Sequence, residues 1–307
     1  MLKNNIIKRM FIIGLPIIAF FIVEAVRRGT YDVTNVFINI LITIIVFGLY
    51  KYVLTTINQL DSQLDSQLIP TAPLSRITST SKPYKQKFKN FIISYKPIII
   101  FMMMVYVFII DNFSDSGADS LAQNQAVKSI KDTSFFNSLI QKGIKTPIIE
   151  EVLNRGFMYF IILSITTYIL RWIFRKNESN FIYLLSIIIY ITLSSLLFGL
   201  GHVTKIHWYI PTEWNTSIIQ WEKISGYVIS GILFSLIFVL FNNKIVAIML
   251  TSLLHIASNI SSIIIIKYSV DVITCIMIFA LIVAFISVFI ACSKEDFRLA
   301  INAIKNK

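Results

Sequence analysis

Apolar runs of about 18 or more residues recur from one end of this chain to the other, and a run of that length is what crosses a bilayer as a helix. In lipid every backbone N–H and C=O must be satisfied internally, so such runs fold as helices that pack side by side. The runs fall at roughly 10–26, 33–57, 91–110, 147–173, 181–203, 223–241, 244–266 and 270–292. Of 307 residues, 56% are hydrophobic and 14% charged, and the mean hydropathy is +0.74. A soluble domain of this size does not need that much apolar surface. The expectation is an all-α, polytopic membrane helical bundle of about eight transmembrane helices.

The net charge of +12 suggests nucleic acid at first sight. The basic residues sit in short segments between apolar runs, where they set topology and meet anionic lipid. A basic stripe on a recognition fold is missing, which argues against nucleic acid. Lys and Arg are more numerous in the segments that an N-in, C-in arrangement places inside, so that orientation in the plasma membrane is expected. The first run has a basic start and no small-residue cleavage site, and reads as a retained signal anchor. Glu24, near its end, has Arg27 and Arg28 beside it and reads as a paired or snorkelling residue. The two cysteines, Cys275 and Cys292, are about 25 Å apart along one helix, beyond disulfide reach.

Two polar stretches interrupt the runs. Residues 58–90 are rich in Ser, Gln, Pro and Lys and read as a solvated linker. Residues 111–146 are mixed in charge, with room for a short helix. Trp208, Tyr209, Trp214 and Trp221 follow the fifth run and suit a membrane interface.

A short list of polar side chains remains inside the runs, where ionisable groups are costly. The fourth opens "KTPIIEEVLNRG". Thr146 reads as a cap and Pro147 as the first helical residue, which puts Glu150 and Glu151 where the helix dipole favours anions. Glu151 and Arg155 are four apart and share a face; Glu150 is rotated about 100° away. One carboxylate is neutralised locally and the other is left for a second task. Phe198 and His202 share a face at the end of the fifth run, beside Gly199 and Gly201, which permit close helix approach. His255 and Asn259 share a face of the seventh, with His255 about 16 Å into it. Alternating helix directions bring all these groups toward one side of the bilayer. Each alone has an ordinary structural explanation: a helix start, a packed histidine, an interhelical hydrogen bond.

Together they spell EExxxR (Glu150, Glu151, Arg155), FxxxH (Phe198, His202) and HxxxN (His255, Asn259) on three hydrophobic helices. In that order the set resembles the CPBP family of intramembrane proteases, which groups CaaX proteases with bacteriocin-processing enzymes and is also called the Abi family. The resemblance covers about 147–266. It implies an endopeptidase acting on a membrane-associated or exported peptide or protein precursor. Glu150 would be the catalytic carboxylate, Glu151 and Arg155 its supporting pair, and His202, His255 and Asn259 the rest of the site. Two mechanisms fit. Glu150 can activate water held by His202, with His255 and Asn259 stabilising the oxyanion. Alternatively Glu150, His202 and His255 bind Zn²⁺, which makes the water nucleophilic; the chain has no HExxH.

On this reading residues 1–146 form an N-terminal region of three transmembrane helices, 147–292 the catalytic core, and 293–307 a basic C-terminal tail. The partners expected are a peptide substrate and the lipid bilayer. A non-enzymatic bacteriocin-immunity protein is the alternative. A transporter suits mid-membrane polar groups, yet the internal repeat common in that class is not apparent.

Overall fold

The computed structural model describes residues 2–30, 33, 35–62, 91–115, 130–174, 180–204 and 221–305. These residues form nine principal helices and no strand. They are α1 (Leu2–Gly29), α2 (Val36–Ser62), α3 (Lys96–Asp115), α4 (Phe135–Phe174), α5 (Asn180–Thr204), α6 (Trp221–Leu240), α7 (Lys244–Tyr268), α8 (Val272–Ala291) and α9 (Lys294–Lys305). The chain is a polytopic helical bundle. Helices α1 to α8 stand where the eight apolar runs lie. Among the described residues six are long and apolar enough to cross a membrane, namely α1, α2, α4, α5, α7 and α8, while the apolar part of α6 is only Ile224–Leu240.

The bundle wears its apolar side chains outward. On α8, Ile273, Ile278, Leu281, Phe285 and Phe289 are all more than half exposed, as lipid-facing residues are. Inside, small and hydroxylated residues let backbones approach. A Cβ on Gly231 would stand 2.9 Å from the Cα of Ser195, and one on Gly199 would stand 2.7 Å from Val228; both contacts hold α5 against α6. Gly201, expected to do the same, faces open space. Ser194 and Ser235 share a hydrogen bond of 2.9 Å across that interface.

Two apolar cores result. One joins α1, α2, α4 and α5; the other joins α3, α6, α7 and α8. Helices α6 and α7 contribute to both, with Phe238 and Ile248 in the first and Phe234 and Leu254 in the second.

Helix α4 departs from the sequence expectation. It begins at Phe135, so Thr146 is not its cap: Thr146 has helical dihedrals and its hydroxyl donates to the Gln141 carbonyl at 2.9 Å. The helix takes a π turn over Leu139–Lys145, an α turn over Thr146–Glu151 and a second π turn over Val152–Phe157. In the first π turn the Thr146 N–H reaches back to Gln141. The next bond would run from residue 147 to the Lys142 carbonyl, but Pro147 has no N–H to give. Asn259 supplies the missing donor, from its side-chain amide at 2.9 Å.

The C-terminal tail is helical. Ser293 and Asp296 cap α9 reciprocally, with Ser293 N–H donating to the Asp296 carboxylate (2.7 Å) and Asp296 N–H to the Ser293 hydroxyl (3.3 Å). Lys96 ties it to α3 through Asp296 at 2.8 Å.

Candidate active site

The two adjacent carboxylates of α4 have different surroundings. Glu151 is fully buried, as is Arg155, and the two pair at 3.3 Å as their spacing requires. The Arg155 guanidinium lies over the Phe198 ring at 4.1 Å and near that of Phe234 at 5.5 Å. A delocalised cation against aromatic faces is the form of buried charge that costs least. The same Glu151 oxygen that faces Arg155 also lies 3.1 Å from His255 Nδ1.

Glu150, one residue earlier, faces the two histidines and keeps 18% of its side chain exposed. Its Oε2 is 3.8 Å from His255 Nε2 and 3.9 Å from His202 Nε2. The tautomers follow from the other ring nitrogens. His255 Nδ1 meets a carboxylate and donates to it. His202 Nδ1 is 2.9 Å from the Phe198 carbonyl, which only accepts, so this nitrogen carries the proton. In the neutral rings both Nε2 lone pairs therefore turn toward Glu150. The separations are too long for direct hydrogen bonds and leave room for one bridging atom.

Aromatic packing fixes the histidines. His202 lies between Phe198 (4.2 Å between ring centres) and Tyr227, which stacks on it at 4.7 Å and 25°. His255 has Phe198 and Phe234 about its ring at 6.0 and 5.9 Å. Both cores supply neighbours: Val152 and Leu153 belong to the first, Phe234 and Leu254 to the second.

This donor set fits a metal ion. One oxygen of Glu150 and one nitrogen each of His202 and His255 lie within 4.8 Å of one another. Two imidazoles and a carboxylate suit zinc. Each histidine also has the second partner that a metal-binding imidazole needs, a carboxylate for His255 and a carbonyl for His202.

Of the six site residues expected from the sequence, Glu150, Glu151, Arg155, His202 and His255 form one contiguous cluster. Asn259 lies one helical turn beyond His255, with its amide on the Lys142 carbonyl. Three neighbours went unforeseen: Tyr227 and Phe234 on α6, and Arg27 on α1, whose Nη1 is 3.9 Å from Glu150 Oε1. Only Arg27 left a signal, as a basic residue beside the intramembrane Glu24, which it does pair with at 2.7 Å. Trp208, Tyr209 and Trp214 lie outside the described residues.

Residues 133–261 match a family model described as type II CAAX prenyl endopeptidase Rce1-like. No curated protein and no solved structure matches the chain.

Proposed function

We propose that the chain is an integral membrane protease of the CPBP type, as the match of residues 133–261 to the Rce1-like family model supports, and that Glu150, His202 and His255 are its catalytic centre. The observation that carries the reading is the convergence of both imidazole Nε2 atoms on one Glu150 oxygen, at 3.8 and 3.9 Å. The substrate we propose is a membrane-associated or exported peptide or protein precursor. The proposed location is the plasma membrane, with the site opening outward.

Glu150 takes a proton from a water molecule, and the water oxygen attacks the scissile carbonyl carbon. His202, with its Nδ1 proton committed to Phe198, accepts a hydrogen bond from that water through Nε2. Charge then develops on the carbonyl oxygen. In its protonated form His255, held by Glu151, donates from Nε2 to that oxygen. As the C–N bond breaks, the Glu150 carboxylic acid passes its proton to the leaving amine. Glu151, paired with Arg155, holds the His255 ring in place through Nδ1. Asn259 supports the site by holding α7 in register with α4. Glu150, His202 and His255 are also the residues that would hold Zn²⁺, which when bound supplies a Lewis acid that lowers the pKa of the attacking water.

The test is cleavage of an internally quenched hydrophobic peptide, farnesylated or unmodified, by protein in liposomes. Glu150→Gln should lower the rate about 10²- to 10⁴-fold. Cleavage of the unmodified peptide favours leader processing, and of the farnesylated one CaaX-type processing. Absence of cleavage by the intact protein would remove the peptidase reading in favour of a non-enzymatic immunity role, and equal measurable rates in the intact and Glu150→Gln proteins would remove Glu150 from the catalytic centre.

A further inference from the structure

Helix α1 lies outside the segment that matches the family model, yet it reaches the candidate site. Its last turn carries Arg27, whose guanidinium is gripped by Glu24: Nε donates to Oε2 at 2.7 Å and Nη2 to Oε1 at 2.8 Å. Glu24 itself is 5% exposed and also receives Arg28 at 3.1 Å. The two-pronged grip leaves Arg27 Nη1 directed at Glu150 Oε1, 3.9 Å away.

Glu150 is thus addressed from both ends. Oε1 faces the Arg27 guanidinium, and Oε2 faces the two imidazoles. A carboxylate rotates freely about its last torsion unless its oxygens have different partners. A cation on one oxygen selects the rotamer that presents the other to the histidines. Helix-end electrostatics would explain a basic residue in this turn, and pairing with Glu24 would explain its order. Neither explains why the third nitrogen faces a carboxylate on α4.

We propose that Arg27, held by Glu24, is a positioning residue for Glu150, so that the N-terminal helix completes the active site. The proposal rests on the peptidase reading above. A planar fork is required, because one group must hold Glu24 with two nitrogens and turn a third to Glu150. Lysine cannot do both.

The experiment measures kcat and KM on the quenched peptide in liposomes, with Arg28→Gln as a control for lost charge at the same helix end. Arg27→Gln should lower kcat about 10- to 100-fold, the range for outer partners of a catalytic ligand, and leave KM within about twofold. Arg27→Lys should recover part of that loss. Glu24→Gln should lower kcat alone, and add little on top of Arg27→Gln, because the two act as a unit. Arg28→Gln, which removes a contact to Glu24 but leaves the Arg27 grip in place, should lower kcat much less than Arg27→Gln. Wild-type kcat in Arg27→Gln, beside an inactive Glu150→Gln, overturns this inference and spares the peptidase reading. If Arg27→Gln does not accumulate, Glu24→Gln decides, and full kcat there overturns it equally. Full activity in Glu150→Gln would instead overturn the catalytic role of Glu150 on which this inference rests.

Discussion

Asn259 donates to the carbonyl that Pro147 deprives of its ladder partner, that of Lys142, across 2.9 Å between α7 and α4. The asparagine and the proline are thus complementary. Removing the Asn259 amide removes this hydrogen bond, at a cost of about 0.5–1.5 kcal/mol. Restoring the N–H with Pro147→Ala should return part of that loss. Thermal unfolding in detergent across the four members of the Asn259→Ala and Pro147→Ala cycle measures the coupling. Strictly additive shifts would show that the two residues do not share this carbonyl.

Gly156 sits in the second π turn against the buried ring of Tyr50. A Cβ there would stand 2.6 Å from Cε2 and 3.0 Å from Cδ2, and Phe157 packs on the same ring at 5.8 Å. Gly156→Ala should cost about 1–3 kcal/mol of stability through overpacking. Tyr50→Leu should relieve it, whereas Tyr50→Phe, which keeps the clashing ring edge, should not. Gly14→Ala meets nothing within 4 Å and should gain a little stability from helix propensity.

Glu151 reaches the proposed metal position only through His255. Its substitution by Gln should weaken zinc binding about 10- to 100-fold while leaving the three ligands in place. Direct titration with zinc, read as metal content after dialysis against graded chelator, compares it with His202→Ala and His255→Ala. Those two should bind least. Equal retention by the intact protein and these three variants would dismiss the Glu150–His202–His255 site.

The Asp296 contact of α9 gives a prediction in pH. Partial burial pushes its carboxyl up, but hydrogen bonds from Lys96 and Ser293 outweigh this and hold it below the usual value of 3.8. A depressed carboxyl stabilises the folded form above its ordinary range, and the contribution is lost as pH falls through the lowered value. The attachment of α9 should therefore loosen only in acid. An acid-stable protease such as pepsin, with cleavage after Phe297 followed by mass spectrometry, should speed up at the acid end. Asp296→Asn should cleave quickly at all pH values. A pH-independent rate in the intact chain would contradict the assignment.

The helical spacing of Glu151 with Arg155, Phe198 with His202 and His255 with Asn259 was readable because all three pairs recur at one turn on apolar helices. Their convergence followed from helix direction. The π turns of α4 were not readable, since hydrophobic spacing over six or seven residues does not distinguish one helical pitch from the next. Lys145 illustrates the limit in another way. It reads as a loop charge, yet it is 3% exposed and donates to the Thr30 carbonyl and the Asn39 side chain. Such partners come from packing α4 against Thr30 at the end of α1 and Asn39 in the first turn of α2, which no local pattern encodes. Residues 293–307 read only as a basic tail, although Ser293 and Asp296 stand three residues apart, the spacing of a reciprocal cap, and that signal of a helix was missed.

The order in which the site's parts occur along the chain has a consequence for synthesis. Arg27 comes first on α1, Glu150 next on α4, then His202 on α5; His255 arrives last, on α7. The second core, which seats His255 through Leu254 and Phe234, also needs α8 residues such as Ala280 and Ala284. A partly made chain therefore holds a glutamate without its full set of imidazoles. On the proposed chemistry, the nascent protein stays silent until α7 and α8 have joined the helices made before them.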